Sequence, residues 1–476
     1  MNLDPVHQEN VTDRQICANI FAPLVGYEIG TTEPSSERSL ADDWEFNEDG
    51  TELTLTLKEG IQFHDGYGEL TTTDVEYHFD RILEGSPRAV ELNQLNYETL
   101  EVEDDYTCTM VFEEPALAVE HQLGTPLGMI PPADAVDDIG ENEFASNPVG
   151  AGAFEFVEHV PDERTELEAY DDYHVEGLPE ADELTFRPIP EDATAASSFD
   201  AGEIAVFQVN SSDRLAALED RDDVKITRTA GLITRFAGFN CQIEPFDDVR
   251  VRQALNYAAN TQAIREELYP GMAEAPASFT APDVDYNTDD VPTYEYNPDR
   301  AIELLEEAGY GDGFEFTWMV PRVGRFSEPA EVLQSNFLEI GVEANLEIRD
   351  SGTYTETIIT GTDHDVPMFI HSLSQTPAPD IFLANAFHSE NVPPDGGNYW
   401  YYDNEDVDTW LEEATTTVDE EERAELFGNI QHAVNEDPPG IWIDHEQFVF
   451  AMQDHVSGFE ADPQRRMEFE RSAFEE

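Results

Sequence analysis

Phe314 to Ile348 reads FEFTWMVPRVGRFSEPAEVLQSNFLEIGVEANLEI. Its opening, Phe314 to Val320, is aromatic and apolar, as a strand requires. Ser327 to Glu339 carries apolar residues at helical spacing. Val342, Ala344, Leu346 and Ile348 then alternate with polar neighbours, the period-two pattern of a strand. Strand, helix and strand in that order predict α/β layering with parallel strands.

The flanks repeat this vocabulary. Pro298 sits in the first turn of a helix, DRAIELLEEAGY, that stops at Gly309. Asp248 can cap a helix bearing Val251, Ala254, Leu255 and Ala258, and a second helix begins near Thr261. Downstream, Asp403 to Thr416 and Asp419 to Asn435 read as helices. Ile441 to Ile443 and Phe448 to Met452 read as two short closing strands. Near the start, Glu52 to Lys58 alternates with Leu53, Leu55 and Leu57 on one face. A helix follows from Thr73-Asp74 to Gly85. Val102 to Phe112 reads as two strands around Asp104-Asp105, and Gly150 to Tyr170 as a hairpin turning at Pro161-Asp162. There is no repeat period. The loops rich in Pro and Asp (280–298, 376–379, 392–397) read as punctuation and not as long linkers, so the domains are expected to interleave.

The 476 residues suffice for two to four domains. With 40% apolar and 11% aromatic residues, a wholly disordered chain is excluded. No apolar run is long enough to span a membrane. Against 105 Asp and Glu stand 23 Lys and Arg, a net charge of −82. Only Lys58 and Lys225 are lysines. A basic groove for nucleic acid is excluded. The acids are spread through every segment, which predicts a surface built for high salt, where repulsion is screened, and hence a halophile. Cys17, Cys108 and Cys241 are odd in number and widely spaced, which argues for buried thiols and against a disulfide framework. No signal peptide opens the chain. Either the protein is cytoplasmic or an export segment is missing from this sequence.

Catalytic and cofactor signatures are missing from the sequence. There is no phosphate-cradling Gly-x-x-x-x-Gly-Lys-Ser/Thr, no Gly-x-Ser-x-Gly elbow, and neither His-Glu-x-x-His nor cysteines at metal spacing. His364, His371 and His388 fall in one region, where satisfied or exposed imidazoles are expected. A secreted hydrolase using paired carboxylates is the alternative, but with 105 acids no pair stands out. Aromatics carry more signal. Tyr399-Trp400-Tyr401-Tyr402 follows Gly396-Gly397, and Trp318, Phe236 and Phe239 fall on predicted strands or their ends. These rings either pack a core or form a flat apolar platform for a ligand.

These blocks, in this order, resemble the family 5 extracellular solute-binding proteins, the oligopeptide, dipeptide and nickel receptors of ABC transporters. The likeness runs from Leu3 to about Phe459, in a haloarchaeal-like form. It rests on Leu3-Asp4-Pro5, NIFAPLVGYE (19–28), LADDWEFNEDGTELTLTLKEGIQFHDG (40–66), TTTDVEYHFDRIL (71–83) and NPVGAGAFEF (147–156). It continues through PFDDVRVRQALNYAANTQAI (245–264), the most specific block, YNPDRAIELLEEAGYGDGFEFT (296–317) and NYWYYDNEDVDTWLEEA (398–414).

The resemblance implies a two-lobed, type II periplasmic-binding-protein-like clamp of the α/β class that closes on a solute. Lobe I would comprise 1–33, 148–236 and 445–476, with an inserted α/β subdomain at 34–147; lobe II would be 237–444. Hinge crossings would lie near Phe236 to Asn240 and Trp442 to His445. The implied function is capture of a small solute and delivery to ABC permease subunits in the membrane. There would be no reaction and no cofactor, and the protein would be monomeric. Relatives carry an export signal, often with a lipid-anchored cysteine, so the expected location is the outer face of the membrane.

The same resemblance implies ligand-binding residues: Asn210, Arg235, Phe236, Leu373 and Gln375, with Trp318 and Trp400 as further partners. Arg322 and Arg325 are an alternative anion clamp. Gln375, or Ser374 after a one-residue slip, stands where the family carries an acid for a peptide amine. Ile358 and Met368 stand where carboxylate-pairing arginines can occur, and Ala22-Pro23 replaces a usual Glu-Gly. These departures favour a neutral or polyhydroxylated solute such as a short oligosaccharide, with a peptide still open at high salt. Nickel is disfavoured, since no histidine cluster is convincing. A lipoprotein partner of chemoreceptors would use the same clamp.

Overall fold

Leu53, Leu55 and Leu57 are buried, while the Glu and Thr residues between them face outward or lie half-buried, so the Glu52–Leu57 strand covers a core with one face. The computed structural model describes residues 1–8, 10–362 and 365–474. The chain forms two units, Met1–Thr229 with Phe448–Glu476, and Ala230–Gln447.

In the first unit that strand lies between Ala41–Phe46 and Thr107–Phe112. The latter pairs with Tyr97–Val102, giving an antiparallel four-stranded sheet. The helix Thr72–Leu83 buries Val75, Phe79 and Ile82; Thr71 and Asp74 form a reciprocal capping box at its start. Asp4 of the Leu-Asp-Pro opening is fully buried. It caps the short turn Pro5–His7 and pairs with Arg81 of that helix at 2.5 Å. The expected hairpin is Phe154–Val160 with Arg164–Ala169, turning through Asp162 at φ 60°, and Glu183–Phe186 adds a third strand. Near the C-terminus, Glu468 and Glu470 clasp the buried Arg38 at 2.9 and 2.8 Å.

In the second unit, Phe314–Pro321 and Val342–Arg349 pair in parallel, joined through the helix Gly324–Glu339. That is the α/β arrangement expected of this stretch. Met368–Ser374 runs antiparallel to the second half of Val224–Phe239, with Arg235 opposite Ser372 and Thr234 opposite Leu373. One core holds Trp318, Phe337, Leu333, Val251 and Leu255. Another holds Phe236, Phe369, Phe387, Trp400 and Phe427.

Two expectations need correction. Ile441 to Ile443 and Phe448 to Met452 are not separate strands but parts of one, Gly440–Gln453. The polar residues between them are paired inside the protein, so they interrupt the pattern without breaking the strand. The long helix begins at Gly324, three residues before the expected Ser327, and accommodates Pro329. Both long strands, Val224–Phe239 and Gly440–Gln453, contain a division between the units.

Candidate functional site

Six of the expected ligand-binding residues lie in the second unit. Asn210 lies in the first, exposed just beyond the strand Val206–Gln208, and its amide reaches Asp192 Oδ1 at 3.3 Å.

Strand pleating sends Thr234 and Arg235 to opposite faces of Val224–Phe239. Arg235 is 5% exposed. Its Nε and Nη2 donate to Asp444 Oδ1 at 3.2 and 3.0 Å, and Nη1 donates to the Arg325 carbonyl at 2.7 Å. The Tyr269 ring covers the guanidinium at 4.1 Å. Asp444 is wholly buried, and its Oδ2 has no hydrogen-bond partner among the described residues. Burial lifts the Asp444 carboxyl above its usual range; the Arg235 charge opposes that rise.

The other face carries a neutral network. Gln375 Nε2 donates to Thr234 Oγ1 at 2.8 Å and to the Phe279 carbonyl at 2.7 Å, while its Oε1 accepts from Ala281 N at 2.8 Å. His445 Nδ1 shares a 2.9 Å hydrogen bond with Thr234 Oγ1. Burial holds the His445 imidazole down at about 4, so it is neutral at pH 7. Every polar atom of the Gln375 amide is thus engaged inside the unit.

Phe236 and Trp400 share a fully buried aromatic cluster with ring centroids 4.8 Å apart, and Trp400 Nε1 donates to the Ala386 carbonyl at 2.7 Å. Trp318 is enclosed in the other core, 6.1 Å from Phe337. All three rings occupy the core positions that the sequence left as the alternative to a ligand platform. Leu373 and Tyr399 are half-buried beside the aromatic cluster. Ile358 and Met368 are buried.

His371 is ringed by Phe236, Phe326, Tyr354 and Tyr399 at 5.9–6.3 Å, and burial lowers it to about 4. His388 approaches Glu412 at 3.4 Å; His364 lies outside the described residues. Among the described residues, no group of three or more His, Cys, Asp or Glu could hold a metal ion.

The second unit contains nine arginines and no lysine. Among the described residues, seven of the nine donate side-chain hydrogen bonds to protein acceptors. The exceptions are Arg322, just before the long helix, and Arg325, in its first turn, both exposed. Arg325 is 53% exposed, 4.0 Å from Glu446 and 4.8 Å from the Phe326 ring.

Thr234 and Tyr269 were not singled out in the sequence, and Asp444 and His445 entered only within the implied hinge segment Trp442 to His445, not as site residues. Their one signal is Asp444-His445 set within an apolar strand, where an unpaired charge would not be tolerated.

The family described as bacterial extracellular solute-binding proteins, family 5 Middle, matches residues 37–394. The chain is 28% identical over 476 residues to the glutathione-binding protein GsiB of Pectobacterium atrosepticum, covering 98% of this chain and 91% of that one. It is 29% identical over 486 residues to the dipeptide-binding protein of Escherichia coli, covering 96% and 89%. The structure of HbpA2 from Haemophilus parasuis superposes with a TM-score of 0.91 at 24% identity, covering 100% and 98%, which shows a shared fold.

Proposed function

The chain belongs to the bacterial extracellular solute-binding proteins of family 5, and from that premise we propose that it is the receptor of an ABC importer that captures an intact peptide and hands it to a membrane permease. The family match carries this reading. The dipeptide- and glutathione-binding relatives support a peptide as solute, in preference to the oligosaccharide. Arg322 and Arg325 take the solute carboxylate, since a charge-assisted hydrogen bond needs a donor not already spent on a protein acid. Leu373 and Tyr399 offer apolar contact. Arg235, Phe236, Trp318, Gln375 and Trp400 support these groups from behind. The five-segment lobe division expected from the sequence belongs to this reading. So do a lipid anchor on the outer membrane face, a monomeric state and a high-salt habitat.

Capture works by population shift: a solute that contacts one conformation better than another stabilises it by that difference. The experiment is a thermal-shift screen of dipeptides in molar KCl, with mass spectrometry of the recovered solute. A binding peptide at about a hundred times its Kd stabilises by about 2.7 kcal/mol and is recovered intact. No shift with any peptide overturns the solute assignment, and a cleaved peptide overturns the receptor.

A further inference from the structure

We infer that Asp444, Arg235 and Tyr269 form a positioning relay. It fixes the Arg322–Arg325 turn, and with it the cations offered to the solute carboxylate, through the main-chain oxygen of Arg325. This rests on the peptide reading above and assigns Arg235 a role through Arg325 instead of direct contact with the solute.

The relay begins with a proline. Pro329 lies inside the helix Gly324–Glu339. It has no N–H, so the carbonyl four residues earlier, that of Arg325, loses its intrahelical donor. Two side chains supply the loss: Arg235 Nη1 at 2.7 Å and the Tyr269 hydroxyl at 3.2 Å. Neither donor is free to wander. Asp444 holds Arg235 Nε and Nη2 through one oxygen, and the Tyr269 ring lies over the same guanidinium at 4.1 Å.

Arg235 is a poor anion receptor, being 5% exposed with its charge balanced by a buried carboxylate. A buried pair of this kind adds little net stability over apolar residues of similar size, and here one carboxylate oxygen has no partner among the described residues. What the pair does supply is geometry: it fixes the main chain at a residue whose own guanidinium is exposed and, beyond a 4.0 Å approach to Glu446, makes no side-chain hydrogen bond among the described residues.

The test is calorimetry in molar KCl with alanyl-alanine and its C-terminal amide. The wild type prefers the free carboxylate, and Arg325→Gln removes that preference. The double variant Arg235→Met/Asp444→Leu exchanges the pair for apolar residues without stranding a charge. It is expected to cut the carboxylate-over-amide preference about tenfold, with amide affinity unchanged. Pro329→Ala restores a competing N–H to the Arg325 carbonyl and is expected to shift the preference the same way. It also keeps the relay testable should the double variant not fold. Amide hydrogen exchange at 324–326 should quicken in the double variant. An unaltered preference, or equal loss of both ligands, in these variants overturns the relay while Arg325→Gln still upholds the peptide reading. A wild type that binds acid and amide alike overturns the Arg322–Arg325 clamp and the relay with it; should alanyl-alanine not bind, the dipeptide found in the thermal-shift screen and its amide take its place, and binding of no dipeptide overturns the peptide reading as well.

Discussion

Gln375 is, with Ser374, one of the two residues at which the family resemblance would place an acid, and its surroundings suit an amide. Two of its hydrogen bonds are donated and one is accepted, all within a buried pocket of carbonyl, hydroxyl and N–H groups. In Gln375→Glu a carboxylate oxygen would face the Phe279 carbonyl. The buried charge and lost donor should cost about 3 kcal/mol at pH 7. The new acid would titrate above its unfolded value, so the penalty should shrink as pH falls and the protonated acid regains a donor. Urea unfolding at pH 7 and pH 5 checks this, and a wild-type midpoint at pH 7 would refute it. His445 has the opposite sign. Its folded value of about 4 lies below the ordinary 6.5, so the unfolded chain binds the proton first. The stability from keeping it neutral is complete above pH 6.5. It is lost progressively down to pH 4, about 3 kcal/mol in all. His445→Asn, which can still reach Thr234, should flatten the stability–pH slope across that window by about 1.4 kcal/mol per pH unit. Unfolding titrations of both proteins in the same salt measure the difference.

Elements with one clear period were legible in the sequence; those whose pattern changes along their length were not. The helix after Pro298 ending at Gly309 and the turn at Asp162 formed as expected, and the strand from Val342 buries Val342 and Ala344 but leaves Ile348 exposed at its end. Gly440–Gln453 did not read as one strand, because Asp444 and His445 look like a break unless Arg235 and Thr234 are known to lie opposite them. Those partners stand some 200 positions away, and among 105 acids nothing local marks Asp444. For the same reason the sequence reached Arg235 and Gln375 through family likeness, while the groups that saturate them emerged only from the topology. Gly150 and Gly152 in the Asn147–Phe156 block show what motif matching leaves unexplained. A Cβ on Gly150 would stand 2.1 Å from the Ile20 carbonyl, and one on Gly152 would stand 2.6 Å from that of Asn19, so the strand start lies directly against the end of the helix Val11–Ile20. Gly150→Ala must push that helix end away and should cost about 1–3 kcal/mol. Gly428→Ala, whose Cβ meets no atom within 4 Å and whose backbone, like that of Gly150, is not left-handed, is the control. A loss at Gly150 no larger than that at Gly428 would refute the close-approach explanation.

At the scale of the whole molecule, charge decides how stable either unit can be. A net charge of −82 on 476 residues stores repulsion that no set of local pairs offsets, because there are only 23 basic side chains. Most arginines of the second unit are already bound to protein acceptors, so the remaining counter-charge must come from solution. The Debye length is about 10 Å at 0.1 M and about 3 Å at 1 M salt, which removes interactions beyond immediate neighbours. Pairs in contact and out of water, such as Arg38 with Glu468 and Glu470 or Arg81 with Asp4, are little affected. Raising KCl between those limits should therefore stabilise the fold on balance. If the relief is about 3–5 kcal/mol, the melting temperature of a chain this size, whose unfolding entropy is about 1 kcal/mol/K, rises by about 3–5 °C. Calorimetry over a KCl series, repeated in sucrose of equal osmolality, separates screening from solute exclusion. Sucrose should reproduce only a small part of the shift. A melting temperature that is flat or falling across the KCl series would mean that the dispersed acids do not oppose compaction, and the high-salt reading of the surface would fail.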